Sequence, residues 1–131
     1  MNKALIVEDH PDTLLILTYL LETMGFAVIS ANSGKEGVEK AIKEKPDLIF
    51  MDIMMPGMDG REATRRIRSN PEAKEIPILA ATAITDKSQL RECIEAGCNG
   101  VIIKPFTAKD LQEKIQAVLD PPFKNQKEIR S

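Results

Sequence analysis

Short, uninterrupted apolar runs alternate along this chain with segments of helical period, and that alternation leaves few folds open. Ala4-Leu5-Ile6-Val7, Leu48-Ile49-Phe50-Met51 and Val101-Ile102-Ile103 have no polar residue at every second position. A strand with one face in water would show such residues, so these runs read as strands buried on both faces. Two further strands are expected at Phe26–Ser30 and Ile76–Ala81, with Pro77 marking a strand start because proline cannot donate to a ladder interior. Between the strands, helices are expected at Asp12–Met24, Ser33–Lys45, Asp59–Ser69, Asp86–Ala96 and Thr107–Leu119. In the first, Leu14, Leu17, Leu21 and Met24 fall at helical spacing, and Gly25 closes it. In the second, Val38, Ala41 and Ile42 point inward before Pro46 stops the helix. In the last, Leu111, Ile115, Val118 and Leu119 are expected to face in, and Pro121-Pro122 ends it. Five strands alternating with five helices give an α/β chain, a doubly wound parallel sheet with helices on both faces.

The bulk numbers agree with one such domain and exclude several functions. A chain of 131 residues with a hydrophobic fraction of 43% can bury a core without any Trp. The net charge of −2 gives no electrostatic case for nucleic-acid binding. No apolar stretch approaches the ~20 residues of a membrane span. The first strand starts too early to leave room for a signal peptide, so the chain reads as cytoplasmic. Cys93 and Cys98 lie in small, apolar-leaning contexts and read as buried free thiols rather than a bridge or a redox site. Residues 120–131 are polar and read as a frayed terminus, with a linker or a docking tail as the alternatives.

The strand ends carry the chemistry. The first strand ends in Glu8-Asp9, the third in Asp52, the fourth in Thr82 and the fifth in Lys104-Pro105. Open α/β sheets place their ligands beyond the C-terminal ends of the strands. Neighbouring strands would therefore bring three carboxylates together, and such a cluster repels itself and calls for a cation. Each residue type there has a use in phosphoryl transfer. Carboxylates hold a hard dication through oxygen, one of them can attack phosphorus to give an acyl phosphate, and a hydroxyl and an ammonium can bind phosphoryl oxygens.

Four segments in order, Glu8-Asp9, Asp52-Ile53-Met54-Met55-Pro56-Gly57-Met58-Asp59-Gly60, Thr82-Ala83 and Lys104-Pro105-Phe106, resemble the receiver domain of two-component response regulators. The match runs from about Lys3 to Leu119, which makes 1–119 the domain and 120–131 a polar tail. The resemblance implies a flavodoxin-like strand order, 2-1-3-4-5. It implies that Asp52 is the phosphoacceptor and that Asp9, Asp52 and the backbone carbonyl of Met54 ligate Mg²⁺, with Glu8 reaching it through water. Thr82 and Lys104 would contact the phosphoryl oxygens, and the Lys104–Pro105 bond is expected to be cis. The donor would be a sensor histidine kinase or a histidine phosphotransfer protein, and the output an unidentified protein target. The resemblance thus implies a phosphorylated signalling protein rather than an enzyme with an outside substrate.

Three positions depart from the family pattern. Val101 stands where receivers often carry Tyr or Phe, which puts the aromatic-coupled output in doubt. Met54 and Ile84 are apolar where family members often help or hinder the water that attacks the acyl phosphate. Two rival readings remain at this level. A phosphatase of the haloacid-dehalogenase type also uses an Asp nucleophile with Mg²⁺, but it usually needs a second acid two residues on, where this chain has Met54. A constitutive pseudo-receiver usually loses an acid or the lysine, and this chain keeps both. His10 reads as an exposed residue at a helix start rather than a metal ligand, because oxygen ligands already suit Mg²⁺. Arg61, Arg65, Arg66 and Arg68 read as a solvated helix face rather than an anion-binding patch.

Overall fold

The computed structural model describes residues 2–83 and 85–119. The expectations for Ile84 and for the tail 120–131 lie outside the described residues. The chain runs β1 (Asn2–Val7), α1 (Pro11–Thr23), β2 (Phe26–Ala31), α2 (Gly34–Glu44), β3 (Leu48–Asp52), α3 (Gly60–Arg68), β4 (Ile78–Thr82), α4 (Lys87–Ala96), β5 (Gly100–Ile103) and α5 (Ala108–Leu119). The strands form one parallel sheet in the order β2-β1-β3-β4-β5, as the resemblance implies.

The uninterrupted apolar runs are explained by two cores, one on each face. Leu5, Val7, Ile49, Met51, Ile78 and Ala80 face α2, α3 and α4, where Ala41, Ala63, Ile67 and Cys93 meet them. Their alternates, Ala4, Ile6, Leu48, Phe50, Leu79 and Ala81, face α1 and α5, against Leu17, Leu21, Leu111, Ile115 and Val118. A period of two with both faces covered leaves no polar position in the central strands. Each fully buried Leu, Ile or Phe contributes roughly 1.5–3 kcal/mol relative to exposure.

Several boundaries differ from the sequence expectation for identifiable reasons. Ser33, Asp59 and Asp86 are caps outside their helices, in extended backbone, each accepting from N–H groups of the first turn. Thr107 and Asp110 cap α5 reciprocally: the Thr107 hydroxyl accepts from the Asp110 N–H, and the Asp110 carboxylate accepts from the Thr107 N–H, both at 3.0 Å. Pro77 lies just before β4, and its carbonyl accepts from the Ile49 N–H at 2.9 Å. Leu119 does not face in and is 40% exposed. It is the last residue of α5, at the edge of the stripe of Leu111, Ile115 and Val118, where no further turn of the helix covers it.

The arginines of α3 divide. Arg65 and Arg66 pair with Glu62 on the solvated face, as expected. Arg68 does not belong to that face: it donates to Gly97 O at 2.9 Å, Lys74 O at 3.0 Å and Asn99 Oδ1 at 2.7 Å, tying α3 to the turn before β5. Arg61 is also drawn in, bridging Asp59 and Glu92. Cys93 and Cys98 are free and buried. Burial pushes the Cys98 thiol up to about 11, which leaves it inert at neutral pH.

Candidate functional site

The parallel register brings the strand ends side by side. Val7 is level with Met51, Asp52 with Ala81, and Thr82 with Ile103. Glu8, Asp52, Thr82 and Lys104 therefore cluster where β1, β3, β4 and β5 end. The Lys104 N–H donates to Thr82 O at 2.8 Å, so the backbone after β5 stays in step with β4. The Lys104–Pro105 bond is cis.

One residue that holds this edge together was quoted in the sequence pattern without a role. Gly60 starts α3 directly beneath the end of β3, and its N–H donates to Ile53 O at 3.0 Å. A Cβ at that position would lie 2.5 Å from Asp52 O and 2.8 Å from Ile53 Cα. Only glycine permits that approach of helix to strand. The Asp59 carboxylate before it accepts from the Arg61 and Glu62 N–H groups, fixing the turn that carries the Met54–Met58 loop back to α3.

The charged groups of the edge lie within contact of one another. Lys104 Nζ donates to Asp52 Oδ1 at 3.2 Å and lies 3.7 Å from Glu8 Oε1. The Met54 N–H reaches the same Asp52 oxygen at 3.3 Å. Glu8, Asp52 and Thr82 are each 1% exposed. His10 is exposed, as expected, yet its Nδ1 lies 3.3 Å from both Glu8 Oε2 and Asp9 Oδ1. Met54 is also exposed, at 56%, over the mouth of the site, while Val101 packs half-buried against the core on the α3 and α4 face.

Burial and the neighbouring Glu8 carboxylate raise the Asp52 pKa from 3.8 to about 6, with Lys104 pulling the other way. Two buried oxygens, Glu8 Oε1 and Asp9 Oδ1, have no hydrogen-bond partner among the described residues, with Lys104 Nζ 3.7 Å from the first and His10 Nδ1 3.3 Å from the second. Such groups are costly to bury unless something meets them. A hard dication with oxygen ligands meets that need, so the residues present fit the Mg²⁺ that the resemblance implies. One donor atom from each of Glu8, Asp9, His10 and Asp52 lies within 4.8 Å of the others.

Comparison with known proteins agrees with this geometry. A family model described as the response regulator receiver domain matches residues 4–116. Protein PilH of Pseudomonas aeruginosa is 36% identical over 119 residues, which cover 91% of this chain and 98% of PilH. The alkaline phosphatase synthesis transcriptional regulatory protein PhoP of Bacillus subtilis is 35% identical over 118 residues, 90% of this chain, and this chain spans only 48% of PhoP. Among solved structures, the receiver domain of the sensor histidine kinase PA1611 of Pseudomonas aeruginosa PAO1, with a magnesium ion coordinated in its active site cleft, superposes with a TM-score of 0.83. It is 32% identical, and the match covers 90% of this chain and 97% of that one. The chain belongs to the response regulator receiver domain family of two-component systems.

Proposed function

We propose that this chain receives a phosphoryl group on Asp52 from a phosphohistidine of a sensor histidine kinase or a histidine phosphotransfer protein. The observation that carries the reading is the Lys104 ammonium 3.2 Å from the buried Asp52 carboxylate, beside two buried acid oxygens that accept no hydrogen bond from the described residues. An Asp52 oxygen attacks phosphorus, the new O–P bond forms as the donor's N–P bond breaks, and the donor imidazole leaves with the bonding electron pair. Above a pH of about 6 Asp52 is ionised and ready to attack. Lys104 and the Thr82 hydroxyl bind the phosphoryl oxygens as charge moves onto them. Asp9, Asp52 and the Met54 carbonyl would hold Mg²⁺, with Glu8 behind them. Bound there, the ion would offset part of the negative charge of the three carboxylates and of the phosphoryl group they face. The PA1611 receiver domain supports this assignment, because magnesium is coordinated in its cleft.

Output runs through protein contact at the surface of α4, β5 and α5. Val101 has no ring to swing, so output in this chain proceeds without the rotation of an aromatic side chain at that position. The test is uptake of a phosphoryl group from acetyl phosphate by the purified chain. The reading expects base-labile label that needs Mg²⁺ and is absent from Asp52→Asn. Equal labelling of that variant, or turnover of p-nitrophenyl phosphate by the wild type, contradicts it. The second outcome would favour a phosphatase.

A further inference from the structure

Resting on the reading of the acid cluster as a cation site, we propose that His10 is a ligand there. It equips this receiver to bind a late first-row divalent ion such as Zn²⁺ through nitrogen as well as oxygen. Three observations meet at this residue. His10 Nδ1 lies 3.3 Å from both Glu8 Oε2 and Asp9 Oδ1. Donor atoms of Glu8, Asp9, His10 and Asp52 all lie within 4.8 Å of one another. Zinc holds nitrogen and oxygen at ~2.0–2.2 Å, so ligands on opposite sides of one ion are about 4 Å apart and small side-chain rotations close the set. The Glu8 side chain is wholly buried, and its Oε1, like Asp9 Oδ1, lacks a hydrogen-bond partner among the described residues.

His10 is also spared the usual task of its position. It is the N-cap of α1, and its side chain makes no capping hydrogen bond. Ser, Thr, Asp or Asn at that place would turn its oxygen onto the first turn of the helix. The His10 ring instead lies against the carboxylates. Pro11 follows it and has no N–H to cap, so the helix start asks less of the ring.

The consequence is a difference in metal preference. Mg²⁺ takes oxygen alone, whereas imidazole suits Zn²⁺ and its neighbours. Both ions would use Asp9, so each excludes the other. Nδ1 is within hydrogen-bonding distance of the acceptor Glu8 Oε2 at 3.3 Å, so a bound ion would take the place of the hydrogen between them and leave the neutral ring's proton on Nε2.

The test uses the full chain with each metal salt alone. Calorimetric titration with ZnCl₂ and MgCl₂ is run on wild type and His10→Ala. The proposal expects the variant to lose Zn²⁺ affinity by at least about tenfold, a loss seen even when a mere supporting partner of a metal ligand is removed. Its Mg²⁺ affinity should fall at least about tenfold less than its Zn²⁺ affinity, because towards Mg²⁺ His10 only supports the carboxylates. His10 is the single histidine of the chain, so its ring ¹⁵N signals are unambiguous. Nδ1 should shift with Zn²⁺ and hold still with Mg²⁺. Equal Zn²⁺ affinity in the two proteins, or an unmoved Nδ1 resonance in wild type, overturns the proposal while leaving the Mg²⁺ site standing. Wild type that binds neither ion overturns both.

Discussion

Replacing Asp52 by Asn should stabilise the cation-free protein at neutral pH, and the gain should fade on acidification. The folded-state pKa of Asp52 is about 6 against 3.8 for an ordinary carboxyl, because burial and Glu8 outweigh Lys104. Between those values the native protein holds a proton that the unfolded chain has released. Stability therefore falls as pH rises through that window and stays low above it. At ~1.4 kcal/mol for each tenfold, the gap corresponds to about 3 kcal/mol above neutral pH. Asn keeps a carbonyl oxygen for the Met54 N–H, which now sits 3.3 Å from Asp52 Oδ1, and removes only the charge. Urea unfolding in the presence of a chelator measures the effect. With a slope of ~1–3 kcal/mol per molar for a domain of this size, the midpoint should rise by about 1–3 M at pH ~8. At pH ~5 the gain should be roughly half as large. An unchanged or lower midpoint at the higher pH, or a gain that does not vary with pH, would refute the electrostatic reasoning.

Mg²⁺ should raise the thermal midpoint of the wild type, since an ion that binds only the native state adds ~2.7 kcal/mol at a hundred times its Kd. Asp9→Asn should remove much of that response and stabilise the apo form, as calorimetric scans with and without the ion would show. Gly60→Ala should cost about 1–3 kcal/mol in urea unfolding, because the new methyl would press on Asp52 O at 2.5 Å. The same change should slow labelling by acetyl phosphate by moving the end of β3. The acyl phosphate should be long-lived, because the exposed apolar Met54 cannot orient an attacking water. Phosphate release from the purified phosphoprotein should quicken several-fold in Met54→Asn, and an unchanged rate would remove Met54 from the account.

The architecture was legible because β1 and β3 are apolar on both faces, which only a covered parallel sheet explains. The site was legible because its residues stand directly at strand ends, where sequence position and spatial position coincide. What escaped notice depended on contacts between distant segments. Arg68 looks like its neighbours Arg65 and Arg66 in the sequence, and only the approach of the turn at Gly97–Asn99 gives it two of its three acceptors, the third being Lys74 O. Gly60 was one glycine in a loop pattern until the end of β3 was placed against it. Leu119 has the helical spacing of an inward residue, four past Ile115 and eight past Leu111, and is exposed because it stands at the end of α5. His10 reads from the sequence as an exposed helix-start residue beside the acids, and the orientation of its ring toward Glu8 and Asp9 is not encoded in spacing. Cap residues were counted as helix because composition marks a boundary more sharply than it marks which side of the boundary a residue is on.

The central claim is that Asp52 carries the phosphoryl group, and chemical trapping tests it most directly. Protein treated with acetyl phosphate and Mg²⁺ is reduced with borohydride, which converts an aspartyl phosphate to homoserine, and the peptides are sequenced by mass spectrometry. Homoserine at position 52, and at neither Asp9 nor Asp59, is the expected result. Homoserine at another aspartate, or none after confirmed uptake of phosphate, would contradict the account.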